Sequence, residues 1–136
     1  MRREEVEIMA PVGSYESLMA AIQAGAGSVY FGVEQLNMRA RSSNNFTLQD
    51  LKQIAEIAHS HGVKTYLTVN VVVFDSEIGK LHEIIDAAKE TGISAIIASD
   101  ISAIMYARQV GVEVHISTQV NITNIEAVRF YAQFAD

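Results

Sequence analysis

The sequence predicts an α/β fold of repeating strand–helix units around a mainly parallel sheet. Three observations lead there. Four stretches with apolar residues at helical spacing each run into a glycine, at Gly25, Gly62, Gly92 and Gly111. Glycine suits the left-handed position that ends a helix, because it has no Cβ to clash. A short apolar run follows each glycine directly, as a buried strand does. The regular alternation then implies parallel strands joined by right-handed crossovers.

The elements follow in order. The first strand is expected over Val6–Ala10, with Pro11 at its end. Helix one follows, with Ser14 as its N-cap and Leu18, Ala21 and Ile22 on one face. Strand two covers Ser28–Gly32. A long polar connection, Val33–Phe46, exceeds the usual handful of residues. Helix two starts at Thr47, with Asp50 three residues on in a near capping box, and buries Leu48, Leu51, Ile54, Ala55 and Ala58. Strand three runs from Lys64 to Asn70, with an extension into Val71–Val73 left open. Helix three opens near Asp75 or Ser76 and buries Ile78, Leu81, Ile84, Ile85 and Ala88. Strand four is Ala95–Ser99, and helix four opens near Asp100. Strand five is Val112–Thr118, and Thr123-Asn-Ile-Glu126 has the pattern of a capping box for helix five. The last helical stretch, Ile125–Phe134, ends at Asp136 without the glycine and strand that close the other units. The chain is therefore expected to be a repeating strand–helix protein cut at a unit boundary, folded as one domain over residues 1–136.

Composition narrows the function classes. Hydrophobic residues make up 49% and charged residues 19%, which fits a globular domain and argues against disorder. The net charge of −6 does not favour nucleic acid or an anionic membrane, although a local basic loop can still carry an RNA contact. The absence of cysteine excludes a disulfide, a thiol nucleophile and a cysteine-ligated metal in this stretch. No apolar run is long enough to span a bilayer. Charges interrupt the N-terminus before a signal-peptide core can form. A cytoplasmic protein is expected.

Two architectures fit this pattern. One is an open, doubly wound five-stranded parallel sheet, for which the length is ordinary. The other is part of an eight-unit barrel, which normally needs roughly 200 residues or more. Side-chain parity leans toward the barrel. Tyr66, Thr68 and Asn70 share one face of strand three, opposite Thr65, Leu67 and Val69. His115, Ser117 and Gln119 share one face of strand five. One side is polar, as a barrel lumen near its mouth can be.

In either architecture ligands bind at the carboxyl ends of the strands. The candidates there are Tyr30, Arg39, Arg41, Asn45, Asn70, Ser117, Gln119 and Asn121. Arg39 and Arg41 lie in the long loop, where they could clamp a carboxylate or phosphate, or simply be solvated. Gln119 and Asn121 sit in a segment rich in amides and hydroxyls at a strand end. Thr123 and Asn124 read as helix caps, as do Asp75 and Asp100. Tyr66 reads as a core residue. His59 and His61 complement the dipole at the end of helix two and, two apart, do not share a face for a metal. His82 is expected on an exposed helix surface. His115 and Ser117 lack a glycine elbow and an acid partner, so they do not form a convincing catalytic pair. No P-loop, GxGxxG, HExxH or CxxC is present.

Taken together, MAPVGSYESLMAAIQAGAGSVYFG, RARSSNNFTLQDL, HGVKTYLTVN and HISTQVNITNIEAVRFY resemble the N-terminal region of the peptidase family U32 proteins. Their most specific pieces are APVG, the RA-x-x-x-x-NF loop and the STQ-x-N-x-TN segment. The resemblance implies the first part of a TIM-like (β/α)8 barrel, about five βα units of it. It also implies a peptidase, with collagenases of unknown catalytic type among the members. Other members are linked to oxygen-independent hydroxylation of transfer or ribosomal RNA bases or of a quinone precursor. These use an iron–sulfur cluster on cysteines downstream of the matching region, and prephenate is implicated for the RNA-modifying ones. The cofactor expectation is none for this chain and a cluster only through downstream cysteines of a longer parent. Three functions are therefore carried forward: a U32-type peptidase, the barrel part of an RNA-hydroxylating enzyme, and a non-enzymatic interaction domain. A partial barrel would expose strand edges, so self-association is also expected.

Overall fold

The computed structural model describes residues 2–33, 36–37 and 46–136. Five strands, β1 (Met9–Pro11), β2 (Ser28–Phe31), β3 (Lys64–Val69), β4 (Ala95–Ala98) and β5 (Glu113–Ile116), form one parallel sheet in the order β1-β2-β3-β4-β5. They alternate with helices α1 (Tyr15–Gln23), α2 (Asp50–Ser60), α3 (Ile78–Thr91), α4 (Ile101–Val110) and α5 (Ile125–Tyr131). This order chooses between the two architectures. A doubly wound sheet reverses its strand order at a switch point, so that helices cover both faces. Here each strand lies beside the one before it, and α1 to α4 pack consecutively side by side. The sheet is an arc of a TIM-like (β/α)8 barrel with its helices on one side.

The register shows why the two faces differ in chemistry. Phe31, Leu67, Ile96 and Val114 lie in one row across β2 to β5 and are fully buried. Together with Leu18, Leu51, Ile54, Leu81, Ile84, Ile85 and Ile104 they form the core between sheet and helices. Each such side chain contributes roughly 1.5–3 kcal/mol by leaving water. Tyr30, Tyr66, Ala95 and Glu113 form an alternate row that faces the other way, followed by Thr68, Ile97 and His115. This is the mixed polar face expected of a lumen.

Gly25, Gly62, Gly92 and Gly111 all take positive φ, between 70° and 89°, as the helix-to-strand junctions required. Ser14 caps α1, its Oγ accepting from Ser17 N while Ser17 Oγ accepts from Ser14 N. Other elements depart from expectation. β1 begins at Met9 rather than Val6, because β2 begins only at Ser28 and offers Val6 no neighbour. β5 stops at Ile116 rather than Thr118, where Ser117 Oγ accepts from Gln119 N and turns the chain into a 3-10 turn over Thr118–Val120. Asp75 caps nothing. A 3-10 turn over Asp75–Glu77 precedes α3, and the Glu77 carboxylate takes the Phe74 N–H at 2.9 Å. Asn124, not Thr123, caps α5, and Glu126 pairs with Arg129 instead of reaching back. Asp50 holds the Thr47 N–H and hydroxyl ahead of α2, whose first residue is Asp50 itself. His82 is half-buried, stacked on Tyr106 with ring centroids 3.7 Å apart.

Both sheet edges carry local features. Val12 N donates to Tyr30 O, so alternation turns the N–H-less Pro11 to the outer edge of β1, where a proline is tolerated. At the other edge, Asp136 N donates to Val114 O at 2.9 Å and Asp136 Oδ2 accepts from Val114 N at 3.0 Å.

Below the lumen rows, Glu7 ties the segment just ahead of β1 to β3. Its carboxylate accepts from Lys64 Nζ at 2.8 Å and from the Tyr66 hydroxyl at 2.6 Å. Those hydrogen bonds hold the Glu7 carboxyl down at about 2, against a usual value of 4.5. Burial and then Glu7 push the Tyr66 phenol up to about 12. The stabilisation from Glu7 is complete above pH 4.5 and is lost as pH falls through that value toward 2. With the Glu7 side chain 36% exposed, solvent screening reduces it to about 1 kcal/mol. Glu7→Gln is therefore expected to lose about that much at pH 7 and only about a quarter of it at pH 2.5, still above the folded value. Urea midpoints at both pH values test this. An equal loss at both would reject the linkage.

Candidate functional site

The carboxyl ends of β3, β4 and β5 converge on a cleft of about 330 Å³. One wall is Asn70, Val71 and Val72, where the chain leaves β3. The facing wall is Gln119 and Val120 in the turn after β5. Ser99 and Asp100 lie between them, and Tyr131 reaches in from α5. A neighbouring depression of about 390 Å³ includes Ser117, Asn121 and Thr123. Asn70 and Gln119 are thus brought together, although their strands are not adjacent in the sheet.

The other sequence-derived candidates fall elsewhere. Ser117 is buried, and its hydroxyl serves the Gln119 N–H. Asn121 is exposed with φ of 56°, and its Nδ2 donates to Gln119 O at 3.3 Å. Asparagine tolerates that left-handed position better than most residues. Tyr30 faces the same side of the sheet as Asn70, in register with Tyr66 and four positions lower, outside both clefts. Arg39, Arg41 and Asn45 lie outside the described residues.

Asp100 is the acidic side chain of the cleft. Oδ1 accepts from Ser102 N at 2.9 Å and from Ser102 Oγ at 2.6 Å, and Oδ2 accepts from Val73 N at 3.0 Å. Burial pushes its carboxyl upward, but the hydrogen bonds from Ser102 and Val73 outweigh burial and hold it below the usual range. The helix-capping half of this arrangement was visible in the Asp-x-Ser spacing. The Val73 half joins residues 27 apart and leaves no local trace. Tyr131 was missed for a similar reason, because nothing in a helical tyrosine signals which cleft it reaches.

Histidine chemistry lies away from the cleft. His59 Nε2 contacts Thr65 Oγ1 at 3.2 Å and Ser94 Oγ at 3.5 Å, at the opposite, amino-terminal end of the strands, where side chains serve stability. His115 does have an acid partner, contrary to expectation: Glu113 Oε1 is 2.9 Å from its Nε2. The ring also packs edge-on against Tyr66, with centroids 4.7 Å apart. Among the described residues no group of His, Asp and Glu side chains is placed to hold a metal ion, and no helix is long and apolar enough to cross a membrane. Lacking cysteine, these residues do not fit an iron–sulfur cluster bound by thiolates.

A parallel βα arc with its helices on one side defines a barrel-type α/β architecture. The chain belongs to peptidase family U32, whose family model matches residues 13–135. It is 65% identical over 136 residues to a collagenase of Porphyromonas gingivalis, covering 100% of this chain and 33% of that protein. It is 32% identical over 129 residues to a tRNA hydroxylation protein of Bacillus subtilis, covering 93% of this chain and 30% of that protein. The chain thus spans about a third of the length of the curated relatives it matches. The solved structure of a U32 peptidase superposes with a TM-score of 0.76 over 96% of this chain and 56% of that one. At 10% identity, that likeness concerns the fold alone.

Proposed function

We propose that this chain supplies substrate-holding residues of a cytoplasmic U32-type peptidase, and that Asn70 and Gln119 hold the main chain of an extended polypeptide. The observation that carries the reading is the pairing of two carboxamides across one cleft with Val71, Val72 and Val120 beside them. A carboxamide offers both a donor and an acceptor, the complement of a peptide group, whereas the valines suit apolar side chains. The resemblance to a collagenase supports a polypeptide over other polar ligands. Fluorescein-labelled gelatin is the probe. Asn70→Ala and Gln119→Ala are each expected to weaken its Kd about 5–10-fold, the worth of one hydrogen bond to a ligand. Binding unchanged in both variants would count against the reading.

The barrel part of an RNA-hydroxylating enzyme is the second reading, favoured by the similarity to a tRNA hydroxylation protein across 93% of the chain. It predicts the reverse result in the same assay: labelled tRNA binds, gelatin does not, and Arg39→Ala and Arg41→Ala weaken the tRNA complex.

A further inference from the structure

The segment between β3 and the 3-10 turn at Asp75 forms a wall of the cleft, and packing holds it only in part, through half-buried Val71 and Val73. Val72 is 69% exposed and Phe74 is 67% exposed. Two carboxylates hold it as well, each taking a backbone N–H: Asp100 that of Val73 at 3.0 Å and Glu77 that of Phe74 at 2.9 Å. The Asp100 bond reaches from this segment to another βα unit, 27 residues along the chain. Asp100 divides its two oxygens between tasks, one on Ser102 at the start of α4 and one on Val73.

We propose that Asp100 is a positioning residue, whose bond to Val73 fixes the Asn70–Val72 wall opposite Gln119. For its effect on substrate the inference rests on the polypeptide reading, but the anchoring itself does not. Both oxygens are engaged within the protein, so Asp100 acts through Asn70 rather than by touching the ligand. The division of labour makes the two roles separable. Asn caps a helix about as well as Asp, so Asp100→Asn keeps one oxygen on Ser102. Its amide nitrogen then faces the Val73 N–H, donor against donor, and only the wall is released. Asp100→Ser serves as the second variant, since a serine hydroxyl also caps but presents no second oxygen.

Amide exchange and side-chain amide resonances of the full chain, with and without labelled gelatin, test this. In D100N the Val73 amide is expected to exchange about tenfold faster, with Ser102 protection retained. The Asn70 side-chain amide resonances shift, and gelatin binds about 5–10-fold more weakly. Unchanged Val73 exchange and Asn70 resonances in both variants overturn the proposal, whether or not gelatin binds. A released wall with gelatin affinity equal to wild type also overturns it. If the wall is released and wild type binds no gelatin, the anchoring is upheld and the polypeptide reading fails.

Discussion

Phe31→Ala is expected to lower the unfolding free energy by about 3–5 kcal/mol, the usual range for truncating a buried phenylalanine. Phe31 ends β2 fully buried, in the row shared with Leu67. Its ring meets Phe46 edge-on with centroids 5.7 Å apart, and Phe46 meets Tyr15 the same way at 5.4 Å. Tyr15 in turn donates to Asp50 Oδ1 at 2.7 Å. The relay fixes both ends of the long connection after β2, which also meet at a parallel bridge between Val33 and Phe46. Removing Phe31 therefore leaves a void that Phe46 can fill only by abandoning Tyr15 and that bridge. Against a typical total of about 5–15 kcal/mol, the variant would be marginal. Urea unfolding measures the loss. A value under about 1 kcal/mol would mean that Phe46 collapses freely into the space, contrary to this account.

One residue further on, the opposite change is expected to be harmful. A Cβ at Gly32 would stand 2.3 Å from Asn37 Cγ and Oδ1 and 2.6 Å from Nδ2. Asn37 is only 3% exposed, and its Nδ2 donates to Val33 O at 3.3 Å. It cannot swing aside as an exposed side chain would. Gly32→Ala should cost about 1–3 kcal/mol by overpacking. A double-mutant cycle identifies the cause, because the penalty should shrink when Asn37 is already alanine. A penalty of the same size in both backgrounds would place the strain elsewhere.

These two neighbours illustrate what the sequence made legible. The strand ending in Tyr-Phe-Gly and the helix-to-strand glycines were readable, because each depends on local backbone geometry and on apolar periodicity. Strand order was not readable from spacing, since length and parity pulled in different directions. Several caps were misplaced by a residue or more, as at Thr123, read as the start of a capping box where Asn124, also read as a cap, is the residue that caps α5. The lining of the candidate cleft was half legible. Asn70 and Gln119 were identified by their place at strand ends. The bond from Asp100 to Val73, the reach of Tyr131 and the closeness of Asn37 to Gly32 arise when the chain folds back on itself, and no nearby residue announces them.

The sequential strand order has a consequence for how the molecule forms. Among the described residues, no strand is inserted between two that precede it in the chain. Each new strand needs only the edge left by the one before, whose paired residue lies at most 36 positions back (66 − 30, Tyr66 on Tyr30), so the loop to be closed at any step stays short and its entropy modest. Synthesis at roughly 5–20 residues per second would present these units one at a time, and each could dock before the next appears. A sheet with a reversed order must instead leave a central edge waiting. Growth here proceeds from one side only, which suits a chain that assembles as it is made.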